Sequence, residues 1–364
     1  MKKMKLILGL PIASLLLVAL FTACEGPEGP QGPKGDPADP FVNWEGYKEG
    51  IICADCHNPD YDTTYYVWAK KYQWSLSKHA IGGHYVENSS TCSPCHTTEG
   101  FIQASLGQTV TSHPNASPPG CFACHSPHSR ADFSLRTTDP VTMLAGVVGE
   151  ADFVFDYGKG NLCGSCHKPR TINPKPDPTK TADTDTITIT SSRWYQHYGV
   201  QGLMLAGSNG FEFQGYTYEN SYHTRSEVIK DEGCVICHMA QEERNPAGGH
   251  TWWIEYDGEE VLAGCLTAGC HDAALTSLDY HDAQTITEEL LDSLHTLLVD
   301  RDWITESGSI KAGGSYGPLK IAPAYLSGAM YNYFFVEHDL SLGVHNTLYT
   351  HQLLESSIAE LTAE

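Results

Sequence analysis

Cys121-Phe-Ala-Cys-His-Ser-Pro-His128 carries the pattern that decides this chain. Two cysteines three residues apart share one face of a helical turn, and a histidine follows the second. Thiols so placed add covalently to the two vinyl groups on one porphyrin edge. The adjacent histidine then swings under the ring as an axial ligand to iron. Four more segments repeat the pattern: Cys53-Cys56-His57, Cys92-Cys95-His96, Cys163-Cys166-His167 and Cys234-Cys237-His238. A longer variant, Cys265-Cys270-His271, has four residues between its thiols. Of 13 cysteines only Cys24 is then left over. The pattern implies six covalently bound haem c groups, with His57, His96, His125, His167, His238 and His271 as proximal ligands.

Other uses of cysteine explain less. Zinc needs four ligands per ion, so each Cys-x-x-Cys pair would have to borrow two more. A disulfide framework gives no reason for a histidine after every second cysteine. At Cys265 and Cys270 a plain disulfide stays open as the alternative to haem.

Working outward, the N-terminus reads as an export signal. Lys2, Lys3 and Lys5 precede an apolar run from Leu6 to Leu20, which ends at Phe21-Thr-Ala-Cys24. The run is short for a stable membrane span. The segment resembles a bacterial lipoprotein signal, which implies cleavage before Cys24 and acylation of its thiol. An ordinary cleaved signal and an uncleaved anchor are the alternatives. Gly26-Pro-Glu-Gly-Pro-Gln-Gly-Pro-Lys-Gly-Asp-Pro37 follows, in four Gly-x-y triplets. So short a run reads as a stiff extended tether rather than a collagen helix. The expected organisation is therefore a signal at 1–23, a tether at 24–40, a six-haem domain at 41–282 and a C-terminal helical part at 283–364 that packs on the haems.

The chain carries 34 glycines and 20 prolines in 364 residues. The expected fold is a multihaem cytochrome, mainly α with much irregular structure and short β-hairpins. Its core would be largely haem, and its longer helices C-terminal. Residues 168–185 read as a surface loop, and 186–190 as a short strand. Thr251-Trp-Trp-Ile-Glu-Tyr-Asp257-Gly258-Glu-Glu-Val-Leu262 reads as a hairpin turning at Asp-Gly. Thr285-Ile-Thr-Glu288 fits a capping box, with Ile286, Leu290, Leu294 and Leu297 at helical spacing. A last helix is expected from about Asn346, with Leu354, Ile358 and Leu361 on one face.

Eighteen histidines leave twelve beyond the motifs, enough for a second histidine at every iron. His128 follows His125 by three residues, a step that aims it at a neighbouring haem rather than its own. His223 and His250 flank the Cys234 motif at lengths that let the chain fold back over packed haems. His79 precedes Cys92, with His84 as its nearest rival. His197, in Trp-Tyr-Gln-His-Tyr, and His345, at the start of the last helix, complete the candidate distal set. His351 reads as a buried helix residue. His113, His281, His295 and His338 read as surface or structural.

Cys234-Val-Ile-Cys-His-Met239, with His223 ahead and Gly248-Gly-His250 behind, resembles segments of the pentahaem nitrite reductases and octahaem hydroxylamine oxidoreductases. Ser77-Lys-His79-Ala and Leu340-Ser-Leu-Gly-Val-His345-Asn are similar to segments there as well. The resemblance implies haems in stacked pairs, with distal histidines at the matched positions. Pentahaem nitrite reductases carry a Cys-x-x-Cys-Lys catalytic haem, and no such motif occurs here. The chain therefore reads as an electron-transfer relative, with no catalytic residue assigned. A reductase or oxidase of a small nitrogen or sulfur compound is the alternative. It would need a haem without a distal histidine, and the Cys265 site is the first candidate.

A net charge of −22 makes nucleic acid a poor partner. Expected partners are other redox proteins or quinol-linked cytochromes. Expected placement is lipid-anchored outside the inner membrane, on its periplasmic face or at the outer membrane or cell surface.

Overall fold

The structure, a computed structural model, describes residues 57–60, 62, 64–81, 86–130, 132–243, 245–267, 270–272 and 274–363. All of them belong to one unit, Glu45–Glu364. The signal, Cys24, the tether, Cys53, Cys56 and His84 lie outside the described residues.

Helices dominate, joined by long irregular stretches and three short antiparallel strand pairs. The pair β1 (Val141–Met143) and β2 (Phe153–Phe155) buries Val141, Met143 and Phe155. The expected strand at 186–190 is β3 (Ile187–Ile189), whose two isoleucines are buried while Thr188 is exposed. The hairpin is β4 (Glu255–Tyr256) with β5 (Glu259–Glu260). Asp257 and Gly258 turn it with φ of 54° and 80°, as a tight two-residue turn requires. The partner of β3 is β6 (Leu319–Ile321), too distant in sequence for any local signal to reveal.

The helix α1 (Val67–Ser75) is anchored at its start by Asp62, whose carboxylate accepts the amides of Tyr65, Tyr66 and Val67. Near its end Trp74 Nε1 donates to Pro119 O at 2.9 Å. Three long helices close the chain: α2 (Ala283–Asp300), α3 (Ser327–Glu337) and α4 (Thr347–Ala363). They pack on one another. Every residue of α3 from Ser327 to Val336 is buried, as a helix apolar on all sides must be. Its one amide, Asn332, accepts from Phe211 N at 2.8 Å and donates to Phe211 O at 2.9 Å and Ser357 Oγ at 3.0 Å.

Two expectations for α2 are corrected. Thr285 lies inside the helix rather than capping it. Asp279 takes that part, accepting Gln284 N, Thr285 N and Thr285 Oγ1. Ile286 is exposed, whereas Leu294 is buried and Leu290 and Leu297 pack partly buried against the core as expected, joined there by Thr287 and Leu298. The last helix starts one residue beyond the expected position, with Leu354 and Leu361 buried.

Side chains form a continuous apolar core over residues 141–361, from Val141 to Leu361. The polypeptide thus has more core of its own than the loop-rich composition suggests. The first part differs: among the described residues of 57–140, the buried apolar side chains are Phe101, Ile102, Ala116 and Ala123.

Candidate haem-binding sites

Four motifs sit on short helical turns, Ser93–His96, Cys121–Cys124, Gly160–Gly164 and Val235–His238. In each, the histidine amide bonds back to the carbonyl of the first cysteine. The distances are 3.1 Å for His96 to Cys92, 2.8 Å for His125 to Cys121, 2.8 Å for His167 to Cys163 and 3.0 Å for His238 to Cys234. The variant keeps this bond. His271 N reaches Cys265 O at 3.0 Å, so the two extra residues leave the closing geometry unchanged. All ten described motif cysteines are free thiols, Cys265 and Cys270 included. Among the described residues no three His, Cys, Asp or Glu side chains converge as a zinc site needs.

Each motif histidine faces one other histidine. The ring centres lie 6.1 Å apart for His57–His128, 6.1 Å for His96–His197 and 6.3 Å for His125–His250. They lie 6.2 Å apart for His167–His79, 6.1 Å for His238–His345 and 6.0 Å for His271–His223. An imidazole nitrogen sits about 1.2 Å from its ring centre and binds a metal at about 2.0–2.1 Å. Two imidazoles on opposite sides of one iron therefore have centres about 6.4 Å apart. The observed spacing fits that donor set six times, with no ring shared between pairs.

The ring hydrogen bonds point the same way. Nδ1 meets an oxygen acceptor in His125 (Ser134 O, 3.4 Å), His167 (Gln201 Oε1, 3.2 Å) and His223 (Val344 O, 2.8 Å). The same holds for His238 (Trp252 O, 3.2 Å) and His345 (Asp339 Oδ1, 2.8 Å). With Nδ1 as donor, the Nε2 lone pair is left for a metal. Histidines outside the pairs behave otherwise. His351 uses Nε2 toward Thr287 Oγ1 at 3.0 Å, and His338 Nε2 meets Glu337 at 2.9 Å.

Burial lowers the pKa of most of these rings. It pulls His79, His238 and His250 down to about 4, helped by the paired or neighbouring histidines. His125, His128, His167, His197 and His223 are lowered for the same first reason. His345 is the exception: burial lowers it, but the Asp339 carboxylate outweighs burial and raises it.

Neighbouring motifs touch. Cys95 Sγ lies 3.9 Å from Ser165 O, and Cys166 Sγ lies 3.8 Å from Pro94 O. A methyl group on Gly160 would meet Gly233 Cα at 2.9 Å, and one on Gly264 would meet Cys237 Cα at 2.9 Å. Trp252 joins three sites. Its ring lies 4.5 Å from His79 and 5.6 Å from His250, and its carbonyl accepts from His238.

The candidate distal histidines His79, His128, His197, His223, His250 and His345 thus each stand opposite one motif histidine. Under the reductase alternative the Cys265 site is the first candidate for a haem without a distal histidine, and His223 stands opposite its His271. The pairing crosses the chain freely, and sequence reasoning did not reach it. Asp339, Gln201 and Trp252 were missed too, because an aspartate, a glutamine or a tryptophan has no spacing signal.

No family model and no curated protein matches the chain. The fold nonetheless has a solved counterpart. Among solved structures it is similar to the crystal structure of the outer cell wall cytochrome OcwA, at 18% identity and a TM-score of 0.50. The match covers 80% of this chain and 50% of that one, so this chain spans about half its neighbour's length. No described helix is long and apolar enough to cross a membrane.

Proposed function

We propose that this chain is an exported six-haem c-type cytochrome that transfers electrons through bis-histidine haems. The observation that carries the reading is the set of six histidine pairs at 6.0–6.3 Å, one per motif. The pairs His57/His128, His96/His197, His125/His250, His167/His79, His238/His345 and His271/His223 would each hold one iron. The two cysteines of each motif would hold the porphyrin edge. Haem c supplies one-electron redox chemistry at each site. Two imidazoles saturate the iron and leave no position for substrate, which favours a conduit over a reductase. The contacts between neighbouring motifs would place the haems they hold near one another, which favours electron hopping. Kinship with the nitrite reductase and hydroxylamine oxidoreductase branch, minus its catalytic haem, belongs to the same reading. So does a lipid anchor at Cys24, which would hold the protein at a membrane surface while redox partners dock.

Spectroscopy tests it. The oxidised protein should be low-spin throughout and should not turn over nitrite or hydroxylamine with a chemical reductant. A strong high-spin signal with rapid substrate reduction would overturn the conduit reading.

A further inference from the structure

The second nitrogens of the ligand histidines do not meet equal partners. Those of His125, His223 and His238 meet backbone carbonyls, and that of His167 meets a neutral amide. His345 alone among these five meets a carboxylate, Asp339 Oδ1 at 2.8 Å. Asp339 is buried, 3% exposed, and no lysine or arginine pairs with it among the described residues. Its other oxygen accepts from Ser341 Oγ. The loop that holds it is constrained. Leu340 and Leu342 both take positive φ, 62° and 49°, where side chains with a Cβ are disfavoured. A turn of that shape brings Asp339 back under a histidine six residues later. The carbonyl of Val344 in the same loop accepts from His223, and that of His338 accepts from Gln201, the partner of His167.

We propose that Asp339 is a positioning and tuning residue that lowers the potential of the His238/His345 haem. This rests on the reading that those two histidines share one iron. A buried anion against the far nitrogen makes the imidazole a stronger donor, and it favours the ferric state, which carries one more positive charge. His238, on the other side, donates to Trp252 O, so both ligands of this site have an oriented second nitrogen.

The test is a redox titration of the full haem-loaded chain, followed by visible spectra and by EPR of the ferric form. Asp339→Asn should keep the haem count and low-spin spectrum while shifting one site's one-electron equilibrium about tenfold toward ferrous, about 59 mV upward. One ferric low-spin EPR signal should move with it. Ser341→Ala leaves the carboxylate in place with one donor fewer, so the same site should shift the other way. A purely structural role for Asp339 would not give opposite shifts at one haem. Unchanged potentials in Asp339→Asn overturn the proposal. His345→Ala separates the two readings: if it creates no high-spin haem, the ligand assignment beneath the proposal fails instead.

Discussion

His223 and His271 face each other with ring centres 6.0 Å apart and ring planes 82° from parallel. His271 belongs to the motif with the long spacer, and its amide still closes on Cys265 as the other motif histidines close on theirs. The spacer therefore should not prevent haem attachment. Intact-mass measurement of the mature chain is expected to show six haems. Cys270→Ala should show five, or a poorly attached sixth; five in the unaltered protein would point to a disulfide.

Replacing a distal histidine should open one iron without releasing its haem, because the thioether bonds remain. His223→Ala is expected to keep the haem count, add a high-spin component and gain binding of cyanide or carbon monoxide. An unchanged low-spin spectrum would mean that His223 is not a ligand.

Gly160 and Gly233 let two motif turns meet backbone to backbone. In Gly160→Ala the new methyl would lie 2.9 Å from Gly233 Cα and 3.1 Å from Cys234 N, and backbone cannot swing aside. Overpacking of this kind costs about 1–3 kcal/mol. Denaturant unfolding should show a lower midpoint, and the Cys163 and Cys234 sites should load haem less completely than the rest.

Asn332 is buried in α3 with both ends of its amide bonded, chiefly to Phe211. Asn332→Leu strands the Phe211 amide and carbonyl, at about 1–3 kcal/mol for each unsatisfied group. Unfolding should shift to lower denaturant with no change in haem count. Equal stability would show that water or a rearranged backbone replaces the amide.

Trp252 fixes two ligand rings edge-on, 84° to His79 and 66° to His250. Trp252→Leu keeps the backbone carbonyl that serves His238 but frees those rings. EPR of the ferric protein is expected to change at two haems and stay constant at four. Changes spread over all six would mean a general loosening instead.

Cys24 falls outside the described residues, and its thiol is the one left over by the six motifs. Cys24→Ser should move the protein from the membrane to the soluble fraction. Continued membrane association with an unchanged N-terminus would argue against acylation.

The motif turns were legible in the sequence because their pattern is local. Two thiols and a histidine must share one turn, so spacing alone identifies Cys92, Cys95 and His96. The β4–β5 hairpin was legible for a similar reason, since Asp257 and Gly258 tolerate the positive φ that the turn demands. The start of α2 was misread because Asp279, outside the expected box, competes better for the free amides than Thr285 does.

The sequence by itself determined where the six cysteine–histidine motifs lie and that twelve further histidines are on hand. Only the tertiary structure decided which histidine faces which. His128 meets His57, 71 positions away, while His125 meets His250 across a still longer stretch of chain. The reason is physical. A distal ligand needs only to arrive about 6.4 Å from its partner's ring. Any segment can deliver it, so no spacing rule encodes it. The same holds for Asp339, whose position under His345 depends on the positive-φ turns at Leu340 and Leu342.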